Sequence, residues 1–283
     1  MNPVPILTLN DGSTIPQLGF GVFQVPPEQT AQTVAKALQV GYRHIDTAEM
    51  YRNEQQVGEA IRDSQIPRSE VFITSKLNNG FHEPIKAQAA FAETLSKLDV
   101  DYIDLFLIHW PLPTRYDGDF VSTWKALEEF KKAGLARSIG VSNFQVDHLK
   151  KLLAETDIVP AVNQIELHPY FQNVQVAEFN KQHGIITEAW SPIAQGGVLE
   201  DPIIMDIARQ HGKTTAQVVL RWHIQKGYVI FPKSSTPERI QENFEIFDFE
   251  LDVTQMEKID KLDKGEAGRT GPNPVTFDRI PPQ

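Results

Sequence analysis

The strongest constraint on this chain is an alternation. Short β-type runs at Gln17 to Phe20, His44 to Asp46, Val71 to Lys76, Tyr102 to His109, Arg137 to Ser142, Ala161 to Ile165, Ile185 to Trp190 and Tyr228 to Phe231 number eight. Helical patterns lie between them, among them Glu28 to Val40, Glu54 to Asp63, Pro84 to Leu98, Val121 to Ala133, Val146 to Ala154 and Val174 to His183. A strand can pair in parallel with the next only after a crossover, and a helix supplies it. The repeat therefore predicts an α/β protein built as a (β/α)8 or TIM barrel. Ahead of the first unit, Ile6 to Leu9, the Asn10-Asp11-Gly12 turn and Ser13 to Pro16 read as an N-terminal β-hairpin that caps the barrel bottom. Thr254 to Leu262 reads as an extra C-terminal helix. Gly265 to Gln283, rich in Gly and Pro and without a period, reads as a loop draped over one mouth. No linker interrupts the pattern, so residues 1–283 are expected to form one barrel domain.

Charge and composition narrow the partners. The formal net charge of -10 repels a phosphate backbone and an anionic membrane surface, so neither nucleic acid nor membrane is expected to bind. The chain has no Cys, which excludes disulfides, thiolate zinc sites and a Cys nucleophile. Met1 to Gln17 has neither a basic start nor an apolar run, and no stretch approaches the roughly 20 apolar residues of a membrane span. A cytoplasmic location is the expectation.

Barrel enzymes place their chemistry at the C-terminal ends of their strands. Asp46, Lys76, His109, Ser142 and Trp190 fall there on strands two, three, four, five and seven, with Tyr51 in the loop after strand two. A phenol is a weak acid, with an ordinary pKa of roughly 10. A cation about 4 Å from its oxygen, at an effective dielectric near 20, is worth about 4 kcal/mol, or roughly three pKa units as an upper bound. Lys76 is placed to be that cation, Asp46 to hold it and His109 to donate a hydrogen bond to an oxygen gaining charge. The competing interpretation is a buried Asp46 and Lys76 ion pair beside a packed Tyr51.

Other residues admit a functional and a structural role. Ser142, Asn143 and Gln164 suit a carboxamide but also satisfy turns, and Trp190 offers a face for stacking or for core packing. Thr236 and Pro237 predict a helix start whose free N–H groups, with Lys233, Ser234, Ser235 and Arg239, form an anion site or else a solvated charged turn. Glu166 and Glu188 are candidate carboxylates for a barrel glycosidase. Gly19 and Gly21 open a G-x-G, but Gln24 breaks it, and Gly212-Lys213-Thr214 imitates the end of a P-loop with Ile207 where its Gly should be. His44 and Asp46 alternate on a strand, no H-E-x-x-H occurs, and no metal is expected.

G-Y-R-H-I-D-T-A-E-M-Y-R-N-E at Gly41 to Glu54, T-S-K-L around Lys76, L-I-H-W-P at Leu107 to Pro111, G-V-S-N-F at Gly140 to Phe144, N-Q-I-E-L-H-P at Asn163 to Pro169 and P-K-S at Pro232 to Ser234 come in order along nearly the whole chain. By these blocks the sequence resembles the aldo-keto reductases, and in L-N-D-G, I-P-Q-L-G, V-P-P and F-P-K-S it looks most like the bacterial 2,5-diketo-D-gluconic acid reductases. The resemblance implies NADPH-dependent reduction of an aldehyde or ketone such as methylglyoxal or a diketogluconate, by a monomer. Tyr51 would be the proton donor, Lys76 its modulator, Asp46 the partner of Lys76 and His109 the residue orienting the carbonyl. Ser142, Asn143 and Gln164 would hold the nicotinamide amide and Trp190 its ring. The rest of the cofactor would lie along Val22, Phe23, Asp46, Ser191, Pro192, Ile193, Ala194, Gly196 and Phe231. Lys233, Ser234, Ser235 and Arg239 would take the 2'-phosphate, with Glu242 and Asn243 near the adenine. Phe23, Met50, Tyr51, Asn78, His109 and Trp110 would line the substrate pocket. Asn78 departs from the family, many of whose members carry an aromatic there. A cofactor-binding regulatory subunit of the same superfamily is the rival function; it calls for a broken tetrad, and here all four residues are present.

Overall fold

The computed structural model describes residues 3–281. Ile6–Thr8 (β1) and Thr14–Pro16 (β2) pair antiparallel with Leu7 opposite Ile15, across a turn in which Gly12 takes a φ of 85° that favours glycine. There follow Phe20–Gly21 (β3), Pro27–Val40 (α1), His44–Asp46 (β4), Glu54–Asp63 (α2), Phe72–Leu77 (β5), Pro84–Leu98 (α3), Ile103–Ile108 (β6), Phe120–Lys132 (α4) and Ala136–Ser142 (β7). Val146–Glu155 (α5), Val162–Glu166 (β8), Val174–Gln182 (α6), Ile186–Trp190 (β9), Pro202–His211 (α7), Thr215–Gln225 (α8), Val229–Ile230 (β10), Pro237–Phe244 (α9) and Val253–Asp260 (α10) complete the chain. Strands β3 to β10 form one parallel sheet in chain order, and its edges meet through a parallel bridge between Leu18 and Ile230. There the Gly19 N–H donates to the Ile230 carbonyl at 2.7 Å and the Ile230 N–H to the Gln17 carbonyl at 3.0 Å. The alternation thus closes into the expected barrel.

At the seam the first strand is divided. Leu18 pairs with β10, whereas Phe20 and Gly21 pair with Ile45 and Asp46 of β4, so the run expected at Gln17 to Phe20 serves its two neighbours at different heights. Strand tilt in a closed barrel imposes such a stagger. The seventh crossover carries two helices. Gly212, at φ 61°, ends α7, and Thr214 opens α8 with a reciprocal cap in which its hydroxyl accepts from the Gln217 N–H and the Gln217 side chain accepts from the Thr214 N–H. Capping is the structural use of the Gly212-Lys213-Thr214 run.

Alternation along each strand sorts the core into two layers. Outward residues such as Ile45, Ile73, Phe106, Ile139 and Ile165 pack under the helices, with Trp124 and Trp222 fully buried. Inward residues Phe72, Leu105, Leu107, Val162 and Val229 cluster with Leu9 and Ile15 of the hairpin segment, so the hairpin seals the bottom. Helix α10 packs against α7 beyond the last unit. Among the described residues, no helix is long and apolar enough to cross a membrane.

Candidate active site

Strand period sets the floor of the mouth. His44 and Asp46 face inward on β4 with Ile45 outward, and Lys76, Ser142, Gln164, Glu188 and Trp190 occupy inward positions near the tops of β5, β7, β8 and β9. Lys76 is fully buried, and its Nζ donates to Asp46 Oδ1 at 2.7 Å, to the Thr47 carbonyl at 2.8 Å and to the Tyr51 hydroxyl at 3.5 Å. Asp46 Oδ2 accepts from Gln164 Nε2 at 2.9 Å, and the same Gln164 nitrogen donates to Glu188 Oε2 at 2.7 Å. A polar chain therefore runs from Tyr51 down to Glu188.

Tyr51 lies on a 3-10 turn, Glu49–Tyr51, that Arg52 ends in a left-handed conformation at φ 59°. Asn53 anchors that turn: its Nδ2 donates to the Val22 and Val25 carbonyls, and its Oδ1 accepts from the Thr47 hydroxyl. The Tyr51 ring packs against Phe23 at 5.0 Å and edge-on to His109 at 5.8 Å between centroids. Burial works against ionising the Tyr51 phenol more strongly than Lys76 favours it, and the nearby Asp46 charge adds to burial, so its pKa stands above the ordinary value. The lowering of roughly three pKa units read from the charge of Lys76 alone is an upper bound, and burial lies outside it. Tyr51 is held as an acid with its proton on. Burial also opposes the Lys76 charge, but Asp46 and Tyr51 outweigh it and keep the ammonium firmly protonated. His109 is driven well below its ordinary pKa by burial and by Lys76, and is a neutral imidazole whose Nδ1 is buried without a partner among the described residues.

The amides of the mouth are engaged to different degrees. Asn143, at φ 66°, donates through Nδ2 to the His109 carbonyl and Ser142 Oγ, and its Oδ1 accepts from Trp190 Nε1 at 2.8 Å. The Ser142 hydroxyl donates to the Gln164 carbonyl. These two residues build the frame that orients Trp190 and His109, while the side-chain nitrogen of Gln164 is taken by Asp46 and Glu188 and its side-chain oxygen, unlike its backbone carbonyl, has no hydrogen bond among the described residues. Below Gln164, burial and Asp46 push the Glu188 carboxyl up to about 8.

The loop after β9 is backbone-strained, with Ser191, Ala194, Gln195 and Gly196 at positive φ, and the Pro192 carbonyl is held by His223 Nε2 at 2.9 Å. Helix α9 begins at Pro237 as expected, but the Thr236 hydroxyl does not cap it; Ser234 Oγ instead accepts from the Thr236 N–H at 3.1 Å. Lys233, Ser235 and Arg239 are exposed there. Val22 is fully buried, Phe231 and Asn243 nearly so, and Glu242 accepts from the Thr214 hydroxyl at 2.7 Å. Met50 is half-buried beside Tyr51. Asn78 accepts from the Gly80 N–H at 3.0 Å and starts a 3-10 turn, so half of its amide is committed to the loop.

The C-terminal tail crosses the mouth. Glu166 accepts from the Thr270 N–H and hydroxyl, both at 2.6 Å, from the Gly271 N–H at 3.0 and 3.1 Å, and from His168 at 3.2 Å. A Cβ at Gly271 would come within 2.3 Å of the Trp190 ring, so only glycine fits. Further on, Phe277 packs on Trp110 at 4.1 Å, Asp278 pairs with Arg115 at 3.1 Å and the Arg279 carbonyl accepts from Asn79 Nδ2. Glu166 is thereby tied to the tail and Glu188 is fully buried beneath Gln164, so neither carboxyl faces the open mouth as a sugar-cleaving pair would have to. No periodic or motif signal marks Phe277, and Thr47 and Asn53, although they stand inside the Gly41 to Glu54 block, give no local sign of what they hold: each acts through a loop contact that forms only in the folded chain.

An inward-facing Lys–Asp–Tyr–His cluster at the C-terminal mouth of a parallel barrel defines the class, and residues 17–264 match the Aldo/keto reductase family. The chain belongs to that family. It is 52% identical over 273 residues to an aldo-keto reductase of Mycolicibacterium smegmatis (strain ATCC 700084 / mc(2)155), covering 96% of this chain and 98% of the other. To methylglyoxal reductase DkgA of Escherichia coli (strain K12) it is 48% identical over 278 residues, 98% of each chain. A crystal structure of a Gox0644 mutant in complex with NADPH superposes with a TM-score of 0.93 at 43% identity, covering 98% of this chain and 99% of that one.

Proposed function

We propose that this protein reduces small aldehydes and ketones, methylglyoxal or a related dicarbonyl among them, at the expense of NADPH. The observation that carries this is the buried Lys76 ammonium bonded at once to Asp46, the Thr47 carbonyl and the Tyr51 hydroxyl. The mouth fits the cofactor: Gln164, its side-chain nitrogen held by Asp46 and Glu188, has its side-chain oxygen left for a carboxamide, Trp190 offers a half-buried ring held by Asn143, and Lys233 and Arg239 are two exposed cations with no acidic partner among the described residues beside the uncapped start of α9. The relatives' names and the NADPH complex of the Gox0644 mutant support the same assignment.

Bound NADPH would supply hydride to the carbonyl carbon. Tyr51 then gives its proton to the carbonyl oxygen, and Lys76, fixed by Asp46, stabilises the phenolate left behind. Neutral His109 has one N–H to give, and it donates to the same oxygen as charge develops. Phe23, Trp110 and Phe277 form apolar walls that hold the substrate and exclude water. Asn78 keeps one wall smaller than an aromatic would make it.

The test is NADPH oxidation followed by absorbance with methylglyoxal, a diketogluconate and an aromatic aldehyde. Tyr51→Phe should lose about two to four orders of magnitude in kcat while still binding NADPH. Wild-type binding without turnover of any carbonyl would instead favour a regulatory subunit. NADPH should be preferred over NADH, and equal efficiency with the two would remove the phosphate role of Lys233 and Arg239.

A further inference from the structure

Glu188 has no part in the proton transfer, yet it is fully buried in the barrel beneath the mouth. Its Oε2 accepts from Gln164 Nε2 at 2.7 Å, and Asp46 Oδ2 accepts from the same nitrogen at 2.9 Å. Its other oxygen, Oε1, is buried without a partner among the described residues. An amide nitrogen has two hydrogens. Both are thus taken by carboxyl groups on opposite walls, one from β4 and one from β9, and the amide cannot flip without facing its carbonyl against Asp46.

We infer that Glu188 is a positioning residue for the cofactor: with Asp46 it locks the Gln164 amide so that its carbonyl oxygen is turned to the nicotinamide carboxamide. This rests on the NADPH-dependent function proposed above. The chemistry suits the task. Asp46, Lys76 and Gln164 face Glu188 across the barrel and from β8, and Val229 is its neighbour on β10. Burial and Asp46 keep Glu188 protonated up to about pH 8, so it holds Gln164 without adding a second anion beside the Lys76 pair. A neutral residue of the same shape that can accept a hydrogen bond should therefore replace it, and an apolar one should not.

Glu188→Gln and Glu188→Leu are compared with wild type by fluorescence titration of NADPH and of adenosine 2',5'-bisphosphate, which lacks the nicotinamide end. The leucine variant should bind NADPH about tenfold more weakly, the scale of one lost hydrogen bond to a positioned group, with bisphosphate affinity unchanged. The glutamine variant should restore NADPH affinity to within about twofold of wild type. Equal weakening toward both ligands would show a merely structural role, and unchanged NADPH affinity in a folded leucine variant would likewise overturn the inference. Loss of affinity in Glu188→Gln equal to that in Glu188→Leu would overturn it too. Glu188→Met carries the same test should the leucine variant not fold. Wild type that binds the bisphosphate but not NADPH would instead overturn the function on which the inference rests.

Discussion

The two ends of the barrel interior are built from the same strands by opposite rules. At the bottom, Ile15, Phe72, Leu105, Leu107, Val162 and Val229 pack with no polar demand to satisfy. Two and four strand positions above Phe72, Val162 and Ile186, the same inward rows carry Thr74 and Lys76, Gln164 and Glu166, and Glu188 and Trp190. The mouth is therefore the expensive end, with a buried ion pair and unpartnered atoms on His109 and Glu188. An enzyme of this architecture draws its stability from one pole and places its reactive groups at the other. The difference is a phase along a strand, because a step of two residues keeps the side chain inside while raising it about 6.6 Å toward the mouth.

Substitutions at the two poles should then separate stability from turnover. The largest effect is expected from Lys76→Met, which leaves Asp46 buried without its cation; about 3–5 kcal/mol of stability should be lost, together with most carbonyl reduction. Denaturant unfolding and kcat on the same sample check it, and a stable variant with normal kcat would erase the contrast. Leu105→Ala, at the bottom, should cost about 2–5 kcal/mol while kcat in the surviving folded protein stays near wild type. A matching fall in kcat would mean that the poles are mechanically coupled.

The smallest effect is a dependence on pH. Glu188 holds its proton to about pH 8 in the fold, whereas an unfolded Glu releases it near the ordinary value of about 4.3. Between those values the folded state binds more protons, so this group's contribution is full below about pH 4 and is lost as pH rises to about 8. Glu188→Gln cannot ionise. Its melting temperature should gain on wild type between about pH 5 and about pH 8 and hold that gain above; a difference that does not change with pH would show that Glu188 is already charged in the fold.

Much of the mouth was legible in the chain because a strand reports its own geometry. The alternation His44-Ile45-Asp46 and the position of Lys76 at the end of a β-run are local facts, and they placed the ion pair on one rim before any fold was known. The acidity of Tyr51 was not legible. Proximity to Lys76 was readable, but the burial that outweighs it depends on Phe23, His109 and the turn pinned by Asn53. Likewise, Asn143 reads from the sequence as a cofactor amide, but its bonds to Trp190 and the His109 carbonyl were not readable, because those partners come from strands distant in sequence.

By itself the sequence determined the eight strand and helix units, the capping hairpin, the extra helix and the rim on which Asp46, Lys76, His109 and Trp190 meet, since periods of two and 3.6 residues are properties of neighbouring residues. Only the tertiary structure decided how the seam closes at Leu18 and Ile230, where the tail lies across Trp190 and Trp110, and which polar groups remain open. Desolvation, closure and hydrogen-bond competition are sums over residues that come together only in three dimensions, so no local pattern encodes them.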